Sequence, residues 1–117
     1  HAAQEEAITA IRAGIRCEDI HNTTADVLER HGFRSDIEAD PPRGFFHGTG
    51  HGLGLEVHEA PRVSKQVDDV LDEGNVVTVE PGLYYPEGGG VRIEDVVVVK
   101  ADGCENLTSA AKVLELG

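Results

Sequence analysis

The spacing of apolar residues changes part-way along the chain, separating a helical stretch from a strand-forming one. Near the start, Ala3, Ala7, Ile8 and Ile11 recur at helical spacing, which predicts an amphipathic helix over 2–13 with Gly14 as its stop. EDIHNTTADVLERHG sets Ile20, Val27 and Leu28 near one face and ends in Gly32, which predicts a second helix. RSDIEADPPRG has no period and two adjacent prolines, so it reads as a loop. The pattern then changes. NVVTVEPGLYY is dense in β-branched residues and reads as a strand, and VRIEDVVVVK, 91–100, is the strongest strand signal in the chain. PEGGG, 86–90, lies between them as a flexible turn that suits antiparallel neighbours. The tail LTSAAKVLELG is short and fits no single element. Helices over about 2–31 followed by motif-bearing strands over about 45–100 predict a single α+β domain.

Composition narrows the core and the partners. With no Trp, no Met and 4% aromatic residues, the interior must rest on Val, Leu, Ile and Ala. A net charge of −12 repels phosphates, which argues against nucleic acid or an anionic membrane as partner. It permits divalent metals and protonated amines, although most of the acidic excess reads as solvated surface. Cys17 and Cys104 lie far apart in no motif, so reduced intracellular thiols are expected rather than a bridge. The start has no hydrophobic signal core and is too acidic for a transit peptide, and no run is long enough to span a membrane. A cytoplasmic protein is expected. The first residue is His, not Met, which suggests a processed product or an excised segment.

Candidate chemistry concentrates in three places. HGTGHGLGLEVHEAP, 47–61, holds three of the six histidines, His47, His51 and His58, with four glycines between them. Glu80 follows the first strong strand and precedes Pro81 and Gly82. Glu94 lies within the apolar 91–100 strand, and alternation allows only one of Glu94 and Asp95 to point inward. Two carboxylates and an imidazole sharing a site are reconciled by a divalent cation, and such a ligand set suits Mn²⁺, Co²⁺, Zn²⁺ or Fe²⁺. The glycines would let backbone approach a ligand closely. The residues alone leave a second interpretation open, in which the histidines are hydrogen-bonded structural groups, the glutamates lie on a solvated face and the glycines form a turn.

In this order and at these distances, HGTGHGLGLEVHEAP, EGNVVTVEPGLYY and GVRIEDVVVV resemble the metallopeptidase family that contains Xaa-Pro aminopeptidase, Xaa-Pro dipeptidase (prolidase) and methionine aminopeptidase. The resemblance covers nearly the whole chain. AAQEEAITAIRAG is similar to the family's helix before these motifs, and LTSAAKVLEL to its usual ending. It implies that residues 1–117 form the C-terminal half of a pita-bread catalytic domain. It further implies a dinuclear metal site built from two Asp, one His and two Glu. At the matching positions the histidine ligand is His51 and the glutamate ligands are Glu80 and Glu94, Glu94 bridging the metals. Glu80 also moves the proton of the attacking water. His58 matches the histidine that steadies the substrate carbonyl, and His47 the histidine that lines the substrate pocket of proline-specific members. EPGLYY and VRIED are closer to that proline-specific branch.

The departure is equally specific. No Asp precedes Asp19, which falls between the predicted helices rather than on a strand, so three of the five implied ligands are present. The chain is therefore expected to be part of a longer enzyme, to self-associate, or to draw the rest from a partner. The implied reaction is hydrolysis of the peptide bond before proline in a peptide or dipeptide. Two ions, most readily Mn²⁺, would occupy the intact site, with weak or no binding and no activity in the isolated chain. Two rivals share the fold: a non-catalytic protein-interaction module and a metal-independent, creatinase-like hydrolase. The joint presence of His51, Glu80 and Glu94 speaks against both.

Overall fold

The computed structural model describes residues 1–116. Helices α1 (Ala2–Ala10) and α2 (Cys17–Arg30) pack on each other and on a five-stranded sheet. The sheet order is β2-β1-β3-β6-β7, built from β1 (Gly50–Gly52), β2 (Glu59–Val63), β3 (Val76–Val79), β6 (Asp95–Val99) and β7 (Cys104–Asn106). Every pairing in it is antiparallel. A separate antiparallel ribbon joins β4 (Gly82–Tyr85) to β5 (Gly89–Arg92). The α+β reading therefore holds.

Strand alternation explains the layering. Val77 and Val79 on β3, with Val97 and Val99 on β6, point to one face and pack with Ala7, Ile11, Ile20 and Leu71. Thr78 points to the other face. The helices thus cover one side of the sheet, and the opposite side is left for polar chemistry.

The structure departs from the sequence expectations at several boundaries. The first helix ends at Ala10, not at residue 13. Ile11 is already extended and fully buried, and the backbone beyond it pairs elsewhere: Ala13 N–H donates to Lys100 C=O (3.0 Å) and Gly14 N–H to Leu71 C=O (2.7 Å). Non-local hydrogen bonds outcompete the local helical period here. The second helix ends as expected, since Gly32, at φ 87°, adopts the left-handed conformation and donates to Glu29 C=O while Phe33 donates to Leu28 C=O.

The two long strands are each broken. The 75–85 segment divides at Glu80 and Pro81, because proline has no N–H for the ladder and Glu80 N–H turns to Thr49 C=O (2.7 Å). The 91–100 segment divides opposite, at Ile93 and Glu94. Val79 pairs with Asp95 as the last rung of the main sheet, and Gly82 pairs with Arg92 in the ribbon. Glu80 and Glu94 occupy the gap between. Glu94 is consequently exposed at a strand end rather than held inside a strand, and Asp95 is the residue that points inward, 2% exposed.

The turn begins at Pro86, and Gly89 and Gly90 belong to β5. The tail over 107–116 forms no helix or strand but is tied to β6, with Leu107 N–H donating to Val96 C=O (2.8 Å). Both cysteines are free, and burial, reinforced by the nearby Asp69 carboxylate, pushes the Cys17 thiol up to about 11. Among the described residues, no helix is long and apolar enough to cross a membrane.

Ile20, fully buried between the helices and the sheet, tests this core. Ile20→Ala is expected to lower the unfolding free energy by about 2–5 kcal/mol in urea denaturation. Val113→Ala, at an exposed tail position, should change it by less than about 0.5 kcal/mol. Equal effects at the two positions would contradict the described core.

Candidate metal centre

The face of the sheet turned away from the helices brings one histidine and two glutamates together. One ligand atom each from His51, Glu80 and Glu94 lie within 4.8 Å of one another. His51 comes from β1, Glu80 from the end of β3, and Glu94 from the residue before β6. The register Val79–Asp95 makes Glu80 and Glu94 the positions immediately beyond the last paired residues, so antiparallel pairing places them side by side.

Hydrogen bonds fix the orientation of His51 and Glu80. His51 Nδ1 lies 2.9 Å from Gly52 C=O, which can only accept, so Nδ1 carries the proton. In the neutral ring Nε2 is then a bare lone pair, and it lies 3.0 Å from Glu80 Oε1. Two acceptors in that contact repel unless a proton or a cation is shared between them. Thr78 organises both. Its Oγ1 accepts from His51 N–H (3.0 Å), which directs its own proton to Glu80 Oε1 (3.0 Å). The donor set, one imidazole nitrogen and two carboxylate oxygens, fits a divalent cation of the Mn²⁺, Co²⁺, Zn²⁺ or Fe²⁺ class.

The glycines flanking His51 serve the protein's own backbone packing. A Cβ at Gly50 would lie 1.8 Å from Thr78 O, and one at Gly52 would lie 2.2 Å from Ala60 O. The neighbouring strands β3 and β2 could not approach β1 so closely with side chains there. Strand packing by itself thus requires glycine at positions 50 and 52.

The remaining histidines divide. His58 is exposed, and its ring meets that of His51 edge-on with centroids 4.4 Å apart, at the border of the cluster. His47 is tied in at one remove. Its Nδ1 faces Gly48 C=O (2.8 Å) and its Nε2 accepts from Tyr84 O–H (3.0 Å). Arg92 lies 3.5 Å from the Tyr84 hydroxyl and, through Nε, 3.8 Å from Glu80 Oε2. His47, Tyr84, Arg92, Glu80 and His51 thus form one chain of polar contacts. Sequence reasoning missed Thr78, Tyr84 and Arg92. Thr78 carried a usable signal, since it lies two residues before Glu80 and so shares its face.

Comparison with known proteins places the chain in a family. The metallopeptidase family M24 profile matches residues 1–101. The chain belongs to metallopeptidase family M24. It is 38% identical over 112 residues to the Xaa-Pro dipeptidase of Pyrococcus furiosus, an alignment covering 96% of this chain and 30% of that enzyme. Its fold superposes on a solved Xaa-Pro dipeptidase from Bacillus anthracis with a TM-score of 0.84 at 41% identity, covering 96% of this chain and 29% of the other. An X-Pro aminopeptidase from Thermotoga maritima gives 0.83 at 38% identity, with 96% and 30% coverage. The chain thus spans less than a third of the length of the M24 relatives it matches, and its two helices on an antiparallel sheet are part of their pita-bread fold.

One further histidine is buried outside this cluster. His21 on α2 is 7% exposed, and its Nδ1 lies 3.1 Å from Thr49 Oγ1. Burial holds its pKa down at about 4, with Lys65 and His47 acting in the same direction and Glu18 opposing them. The folded protein thus keeps His21 neutral where the unfolded chain, titrating near 6.5, would protonate it. This contribution to stability is present above about pH 6.5 and is lost as pH falls toward 4, to a total of about 3 kcal/mol. NMR titration should place the His21 midpoint near 4, with urea stability falling across that window. A midpoint near 6.5 would contradict the buried, neutral assignment.

Proposed function

We propose that this chain supplies His51, Glu80 and Glu94 to the dinuclear metal site of an exopeptidase that hydrolyses the Xaa-Pro bond, of the prolidase or aminopeptidase P type. The convergence of the three ligand atoms within 4.8 Å, in a chain of family M24, carries the reading. The names of its relatives support the substrate class. When bound, the cations would lower the pKa of water and polarise the scissile carbonyl.

The chain's own residues carry the rest. Glu80 Oε1 is engaged by Thr78 and His51, which leaves Oε2 as the freer acceptor to take a proton from water and return it to the leaving proline nitrogen. His58, exposed at the border of the cluster, can donate to the substrate carbonyl as negative charge develops. His47 is held through Tyr84 to line the substrate pocket. The acidic site favours a free α-ammonium group on the substrate. Three ligands suffice for one weakly held cation. A second ion requires two further aspartates from polypeptide beyond these residues, and exposed Leu55, Val57 and Leu114 offer apolar surface for it, or for a second copy, to cover.

Calorimetry with Mn²⁺ on the 117-residue chain should therefore find one weak site, lost in Glu80→Gln and in His51→Ala. The chain alone should release no proline from Ala-Pro. Completed by polypeptide carrying the two aspartates it should turn over, and Glu80→Gln should abolish that activity. His58→Ala should lower kcat by about a hundredfold with metal content retained. Turnover by the bare chain that survives Glu80→Gln would overturn the assignment.

A further inference from the structure

Directly after Glu94 stands a carboxylate that the proposed chemistry does not use. Asp95 is 2% exposed, and a buried carboxylate without partners is strongly disfavoured. Its partners come from the C-terminal segment. Asn106 Nδ2 donates to Oδ2 (2.7 Å), and the Lys112 ammonium lies 2.9 Å from Oδ2 and 2.8 Å from Oδ1. The same segment grips the next residue on both sides, since Val96 N–H donates to Thr108 Oγ1 (3.0 Å) and Val96 C=O accepts from Leu107 N–H (2.8 Å). Asn106 Oδ1 in turn accepts from Thr108 N–H (2.9 Å), which makes the clamp one connected unit.

We propose that Asp95, clamped by Lys112 and Asn106, is the positioning residue for Glu94. The proposal rests on the metal-site reading above. Successive side chains at a strand start point to opposite faces, so drawing Asp95 toward the helix-covered face turns Glu94 toward His51 and Glu80. Asp95 is also the last rung paired with Val79, so its anchoring sets where the ladder ends and where both glutamates emerge. A one-residue slip would exchange the two faces and remove Glu94 from the cluster. The clamp thus joins β6 to the end of β7 and to the tail that follows it.

The test compares wild-type chain, Lys112→Met, Lys112→Arg, Asn106→Ala and Ile20→Ala. Mn²⁺ dissociation constants are read from the EPR signal of free Mn²⁺, and stability from urea denaturation. Lys112→Met is expected to weaken Mn²⁺ binding about tenfold, as loss of outer support does at other metal sites. Asn106→Ala, a milder lesion, should weaken it severalfold, and Lys112→Arg should restore near wild-type affinity. Ile20→Ala should destabilise the fold without moving the Mn²⁺ constant. A wild-type constant in both Lys112→Met and Asn106→Ala, or an equal loss in Ile20→Ala, would overturn the positioning role. If the wild-type chain binds no Mn²⁺, the three ligands present do not hold a cation by themselves, and that outcome is separate from the clamp. A crystal structure of Lys112→Met, or of Asn106→Ala if the first does not fold, then decides the clamp. Glu94 displaced from His51 and Glu80 supports it, and Glu94 unmoved overturns it.

Discussion

Two glutamates emerging side by side from paired strand ends repel each other unless positive charge lies between them. That constraint governs the molecule described here. The rung joining Val79 to Asp95 closes the main sheet, and Glu80 and Glu94 are the next positions on either strand. Pro81 prevents the ladder from continuing, so the two carboxylates are not drawn into the sheet. His51 reaches the same point from β1 with its bare nitrogen turned toward them.

The rest of the fold sustains this arrangement. Valines alternate along β3 and β6 so that one face is sealed by the helices, which leaves the other free for Thr78 and the ligand cluster. Close approach of β1 to its neighbours depends on Gly50 and Gly52, whose Cβ atoms would strike backbone carbonyls. A further glycine, Gly82, makes room for the Tyr84 hydroxyl and the His47 ring, each within 3 Å of where its Cβ would be. Glycines in the motifs therefore fix strand spacing, and through it the distances among the polar groups.

Much of this was legible in the sequence. The 3.6-residue period of EDIHNTTADVLER and its closing Gly32 identify α2, and the alternating valines identify β3 and β6. His51, Glu80 and Glu94 could be selected because their residue types and motifs agree. What could not be read was the exact division of each long strand into two, because Ile93 and Glu94 carry no local breaking signal and yield only to the proline across from them. The early end of α1 was hidden for the same kind of reason, since the pull on Ala13 and Gly14 comes from Lys100 and Leu71. The Asp95–Lys112 pair is separated by 17 residues and has no spacing pattern to reveal it.

The central claim is that His51, Glu80 and Glu94 together hold a cation. Anomalous diffraction from crystals grown with Mn²⁺ tests it most directly. The account predicts one strong anomalous peak among His51 Nε2 and the Glu80 and Glu94 carboxylates, absent in crystals of Glu80→Gln. A peak confined to other acidic surface residues, or density at the cluster that persists in Glu80→Gln, would contradict it.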